Sequence, residues 1–117
     1  MRTLISVIAL SISLSFGGVG FAAENTPASL WGEVERLQAE VDLNEGIAKG
    51  QVQKQQNKSA AVRYTRVIED STVQLHLLDK LFVEDPSLDG QLEVMSRMGV
   101  VKQRLKRVKE MLDILQA

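Results

Sequence analysis

The segment between Arg97 and Lys109 carries the side chains best suited to ionic chemistry. Its charged residues are all basic: Arg97, Lys102, Arg104, Lys106, Arg107 and Lys109. Guanidinium and ammonium groups at this density bind carboxylates or phosphates. With Leu105 and Val108 taken as the a and d positions of a heptad, Lys102 and Lys109 fall at e and Arg104 at g. The pattern indicates an ionic interaction surface.

An earlier segment carries the complementary charge, since Glu33 and Glu40 fall at g and Glu45 at e of their own heptad. In three helices that run up, down and up, residues 33–45 are expected level with about residues 88–100. Opposite charges would then gather at opposite ends of one molecule and meet between molecules. The pattern predicts an antiparallel dimer with Glu33, Glu40 and Glu45 facing Lys102, Arg104 and Lys109 of a second copy.

Catalytic and metal-binding patterns are missing from the sequence. His76 is the single histidine and the chain has no cysteine, which excludes the multi-ligand sets that zinc or copper usually needs. No nucleophile elbow, phosphate-binding glycine loop or metalloprotease helix motif occurs. We therefore expect a protein that is not an enzyme and holds no cofactor.

Apolar anchors are a second kind of candidate binding residue. Trp31 lies one turn inside the first helical segment, where an indole can either anchor a partner or cover the end of the core. Met95, Met98 and Met111 can form an adaptable binding face, but their helical spacing favours core positions.

Composition and periodicity predict an all-α protein. Prolines number two, aromatics make up 4 % of the chain, and apolar residues recur at spacings of three and four. We expect an antiparallel three-helix bundle or helical hairpin with coiled-coil-like seams, its helices spanning about 27–56, 60–83 and 86–116. The second segment is apolar on two faces, which predicts a position between two neighbours.

Local signals suggest the helix ends. Thr26-Pro27 and Asp85-Pro86 each place an N-cap residue before a proline. Asn57 to Ser59 is the expected first corner. The glycine-containing stretch 46–50 leaves open a break there that would give four shorter helices.

The N-terminus has the features of a secretory signal peptide. Arg2 precedes an uncharged stretch from Leu4 to Val19, and Gly20 and Ala22 are the small residues required before a cut at Ala23. We expect a signal peptide at 1–22 and a single helical domain at 23–117. The alternative is an uncleaved membrane anchor.

Export limits the possible partners. We expect a periplasmic or secreted protein, so nucleic acid is excluded as a partner. One hypothesis is a helical interaction or scaffold protein that binds itself or another exported protein. The other is an envelope-surface binder whose basic end docks on anionic lipid, lipopolysaccharide or cell-wall polymer. The candidate interaction residues are Lys102, Arg104, Lys106, Arg107, Lys109, Glu33, Glu40, Glu45 and Trp31.

Overall fold

A computed structural model of the chain describes residues 26–117. These residues form three helices: α1 (Pro27–Gln53), α2 (Asn57–Glu84) and α3 (Leu88–Gln116). The helices pack as an antiparallel bundle, which confirms the predicted all-α class. The proposed signal peptide lies outside the described residues.

Helix α2 is the centre of the bundle and packs against both other helices. Within residues 26–117, no Cα atom of α1 comes within 8 Å of one of α3. The two apolar faces of α2 therefore contact two different neighbours, as its sequence predicts. Side chains long enough to cross a wider gap must hold α1 to α3.

The core consists of two apolar clusters, one toward each end of the bundle. The cluster near the start of α1 is built on Leu30, Val34, Leu78, Leu81, Val94 and Val101. The cluster near the α1–α2 corner is built on Val41, Ala48, Ala60, Tyr64, Val67 and Val108. Polar side chains that are buried in the middle of the bundle separate them.

Helices α1 and α3 both begin with a hydroxyl residue as N-cap. Thr26 Oγ1 accepts a hydrogen bond from the Ser29 backbone N–H at 3.2 Å, which confirms the predicted cap of α1. At α3 the cap is Ser87, whose Oγ accepts from the Gly90 N–H at 3.0 Å. The expectation that Asp85 is the N-cap of α3 is wrong. Its carboxylate accepts a hydrogen bond from the Ser87 N–H and so fixes the position of the residue that does cap the helix.

The α1–α2 corner lies earlier than predicted and uses a different residue. Gln55 has φ of 61° and ends α1 in a left-handed conformation. The Gln55 N–H bonds Val52 O at 3.0 Å and the Gln56 N–H bonds Gln51 O at 2.8 Å, the two bonds of a Schellman motif. Asn57, which was expected to end α1, is the first residue of α2.

Helix α1 continues through Gly46 and Gly50 without a break. Burial of Val41, Asn44 and Ala48 against α2 on the same stretch explains why. Tertiary packing outweighs the cost of about 1 kcal/mol that each glycine carries in a helix. The bundle therefore has three helices, and the four-helix alternative is wrong.

Candidate functional site

Four side chains form a polar layer between the two apolar clusters: Gln38 of α1, Ser71 and Gln74 of α2, and Arg104 of α3. Arg104 donates from Nε to Ser71 Oγ at 3.0 Å, from Nη1 to Gln38 Oε1 at 3.1 Å, and from Nη2 to Gln74 Oε1. Gln74 Nε2 in turn donates to the Val34 carbonyl oxygen at 3.0 Å. The layer therefore joins all three helices.

Arg104 is 5 % exposed, and its hydrogen-bond partners are all neutral oxygens. Burial lowers the pKa of its guanidinium, because no carboxylate contacts it directly to offset the lost hydration. The structure corrects the sequence-based placement of Arg104 on an exposed basic seam. Its charge lies inside the bundle and is used for internal hydrogen bonding.

Two more arginines of α3 cross the gap to α1. Arg97 pairs with Glu35, and its guanidinium carbon lies 5.7 Å from the centre of the Trp31 ring, within cation–π range. Arg107 Nη2 lies 2.6 Å from Glu45 Oε2. Trp31 is half-buried against the core cluster near the start of α1, so it covers the end of the core.

The register between α1 and α3 explains these pairs. Both cross-helix pairs join residues 62 positions apart, so Glu45 is level with Arg107. The expected level of residues 33–45 with 88–100 is therefore wrong. The acidic and basic segments meet within one molecule. Glu33 and Glu40 are also engaged, at 2.6 Å each from Arg36 of their own helix.

Three lysines among the predicted interaction residues are exposed: Lys102, Lys106 and Lys109. Within residues 26–117 they form no ion pair. Of the predicted basic surface, these lysines are the part that stays available to a partner.

An apolar stripe on α3 is the surface that sequence reasoning missed. Leu88, Leu92, Met95 and Gly99, called here the α3 stripe, recur at spacings of four, three and four and share one helix face. Leu88 is 72 %, Leu92 54 % and Met95 56 % exposed. The expectation that Met95 is a core residue is wrong. Lys102 continues the same face.

The α3 stripe borders a cleft between α2 and α3 with a volume of about 430 Å³. The lining is largely apolar, and its two charged members are Asp79 and Lys102. The lining residues are Asp79, Phe82, Met95, Met98, Gly99 and Lys102. Stripe and cleft share Met95 and Gly99 and form one continuous surface.

The exposed stripe could have been found from its spacing. One apolar row with a period of seven runs along α3 through Val94, Val101 and Val108, and sequence reasoning followed that row. That row is buried. A second, shorter row, Leu88, Leu92 and Met95, has the 4-3 spacing of one heptad, which is a signal for a second interface.

Neither a family model, a curated protein nor a solved structure matches this chain. Within residues 26–117, no group of three His, Cys, Asp or Glu side chains converges closely enough to hold a metal ion. No helix in that range is both long and apolar enough to cross a membrane. We therefore infer the function from the α3 stripe and the α2–α3 cleft.

Proposed function

We propose that this chain is a small exported, non-enzymatic helical protein that acts by binding protein partners, either itself or another exported protein. The observation that carries the proposal is the continuous apolar surface formed by the α3 stripe and the α2–α3 cleft. Apolar residues scattered singly over a surface are ordinary, whereas a contiguous patch beside a groove is typical of an interaction site.

The chemistry of this surface suits a helical partner. Leu92 and Met95 supply flexible apolar side chains, and Gly99 lets a second backbone approach closely. Asp79 and Lys102 at the rim of the cleft provide charges that orient what docks there. A partner that presents an apolar helix face of the same spacing would bury the exposed stripe.

The N-terminal sequence supports export. The segment 1–22 has the order of charge, apolar stretch and small residues that signal peptidase requires. The absence of cysteine leaves the domain without disulfides, so packing or association has to stabilise it. Burial of the α3 stripe by a partner supplies such association.

A photoreactive residue at position 95 tests the proposal in the cell that produces the protein. We expect p-benzoylphenylalanine in place of Met95 to yield covalent protein adducts on irradiation. The matched control is the same residue in place of Leu43, which is 62 % exposed but lies on α1, away from the stripe. Absence of adducts from position 95, or equal yields from both positions, would contradict the proposed surface.

An envelope-surface binder is the second candidate, and the corner end of the bundle favours it. Lys54, Lys58 and Lys109 are exposed on the segments that meet there, which also carry two exposed apolar side chains: Val62 and Ile114, at 70 % and 69 %. Clustered cations beside exposed apolar residues suit anionic headgroups or cell-wall polymers.

Sedimentation with vesicles tests this second candidate. Anionic vesicles should carry the protein down at low salt and release it at high salt, whereas zwitterionic vesicles should not. The double change Lys54→Glu and Lys58→Glu should abolish the binding. Equal sedimentation of this variant and the wild type would exclude the basic end as the docking site.

A further inference from the structure

We infer that the partner seated on the α3 stripe is a second copy of this chain, packed antiparallel about a twofold axis. This inference rests on the proposed function and specifies the partner of the same surface. Three properties of the stripe support this pairing: its spacing, its bare glycine and the charges at its two ends.

The spacing of the stripe allows it to pack against an antiparallel copy of itself. In an antiparallel pair of helices with heptad repeats, a positions of one helix face d positions of the other. Placing the twofold axis between Leu92 and Met95 sets Leu92 against Met95 of the second copy. The same operation sets Leu88 against Gly99 of the second copy. All four positions of the stripe are then matched in one register.

Gly99 supplies the hollow that this register needs. A Cβ atom built at Gly99 meets nothing within 4 Å, so the space above it is open in the single bundle. Leu88 is the most exposed residue of the stripe, at 72 %. A leucine side chain resting over a glycine allows close backbone approach and removes the apolar side chain from water.

The charges at the ends select the antiparallel orientation. Asp89 lies in the first turn of α3, at the N-terminal end of the stripe, and Lys102 lies at its C-terminal end. In the antiparallel register, Lys102 comes within about one helical turn, ~6 Å along the axis, of Asp89 of the second copy, a gap that a lysine side chain can cross. A parallel pair would place Lys102 against itself, which is repulsive. The twofold axis makes the attractive contact twice.

This pairing differs from the dimer that the sequence suggests. That dimer needs Arg104 and Glu45 on free surfaces, but Arg104 is buried and Glu45 pairs with Arg107. Lys102 is exposed and keeps a place in the interface. The contact surface that we infer is therefore the outer face of α3, and not the charged residues of α1 and α3.

Sedimentation equilibrium of the purified chain 23–117, with two glycine variants, tests the inference. Wild type should show a reversible monomer–dimer equilibrium. Gly99→Leu fills the hollow and should weaken association at least tenfold, although the helix itself gains propensity. The matched control is Gly46→Leu, at a second exposed helical glycine with nothing within 4 Å of its Cβ position. That control should associate as wild type does.

A charge exchange tests the orientation. Lys102→Glu should weaken the dimer by about 1.5- to 5-fold for each of the two symmetric contacts, the range of exposed ion pairs. Adding Asp89→Lys to Lys102→Glu should restore association. Melting curves measured by circular dichroism verify that each variant is folded. Equal weakening by Gly46→Leu and Gly99→Leu, or no recovery in the exchange, would overturn the proposed register.

The two proposals fail in different ways. A monomer at every concentration, combined with adducts between position 95 and a foreign protein, would overturn the second copy as partner and leave the interaction surface in place. A monomer that also gives no adduct from position 95 would overturn both. A dimer that Gly99→Leu leaves intact would show self-association through another face and overturn this inference.

Discussion

Asp70 on α2 should make the bundle less stable as the pH rises. The residue is 9 % exposed, and its Oδ2 atom is buried without a hydrogen bond from any described residue. Burial, followed by the nearby charge of Glu40, raises the pKa of Asp70 to about 7, although Arg66 and Arg36 act in the opposite direction. Ionising this carboxyl therefore costs more in the folded chain than in the unfolded one.

The sign and size of the effect follow from the two pKa values. Below about pH 4 the carboxyl is protonated in both states and costs nothing. Between about pH 4 and pH 7 the unfolded chain loses the proton first, so the free energy of unfolding falls. Three pKa units correspond to about 4 kcal/mol. Even half of this energy is about 2 kcal/mol, so we expect an effect of at least that size at pH 8.

Urea unfolding of Asp70→Asn, followed by circular dichroism, measures this effect. We expect the variant to exceed wild type by at least about 2 kcal/mol in free energy of unfolding at pH 8, and the difference to shrink toward zero at about pH 4. Asp113→Asn, at an exposed position of α3, is the control and should change little at either pH. An Asp70→Asn variant that is less stable than wild type at pH 8 would refute the reasoning.

Two further predictions concern the polar layer and the first corner. Gln74→Leu removes a partner of buried Arg104 and should lower the free energy of unfolding, measured by urea titration, by about 2–3 kcal/mol. The double variant with Arg104→Met should lose less unfolding free energy than the sum of the two single variants. Gln55→Gly removes the strain of a non-glycine residue in the left-handed conformation that ends α1. The melting temperature should rise, by an amount that corresponds to about 0.5–1 kcal/mol of unfolding free energy. A lower melting temperature would contradict the role of the corner.

Helix number and order could be predicted because they depend on local signals. The Thr26 cap and the row Val94, Val101 and Val108 are visible in the sequence and occupy the expected roles in the structure. The first corner could not be predicted in the same way. Gln55 adopts a positive φ without being glycine or asparagine, since the packing of both flanking helices determines where α1 must end.

The role of Arg104 was hidden for a related reason. Sequence reasoning assigns core positions to apolar residues, so it places Leu105 in the core and its neighbour Arg104 on the surface. In the structure Leu105 is half-buried and Arg104 occupies the interior, because Gln38, Ser71 and Gln74 on the other helices supply acceptors. Such matching of distant polar residues depends on the register between helices, which periodicity in one segment does not reveal.

Site-directed crosslinking tests the central claim, the antiparallel pairing through the α3 stripe, most directly. The chain has no cysteine, so Leu88→Cys and Gly99→Cys each introduce a single thiol. In the proposed dimer these two positions face each other, whereas identical positions lie about 16 Å apart along the axis. A mixture of the two variants, treated with a short thiol crosslinker, should give covalent dimer, and each variant alone should give little. Efficient crosslinking of either variant alone, or none in the mixture, would contradict the account.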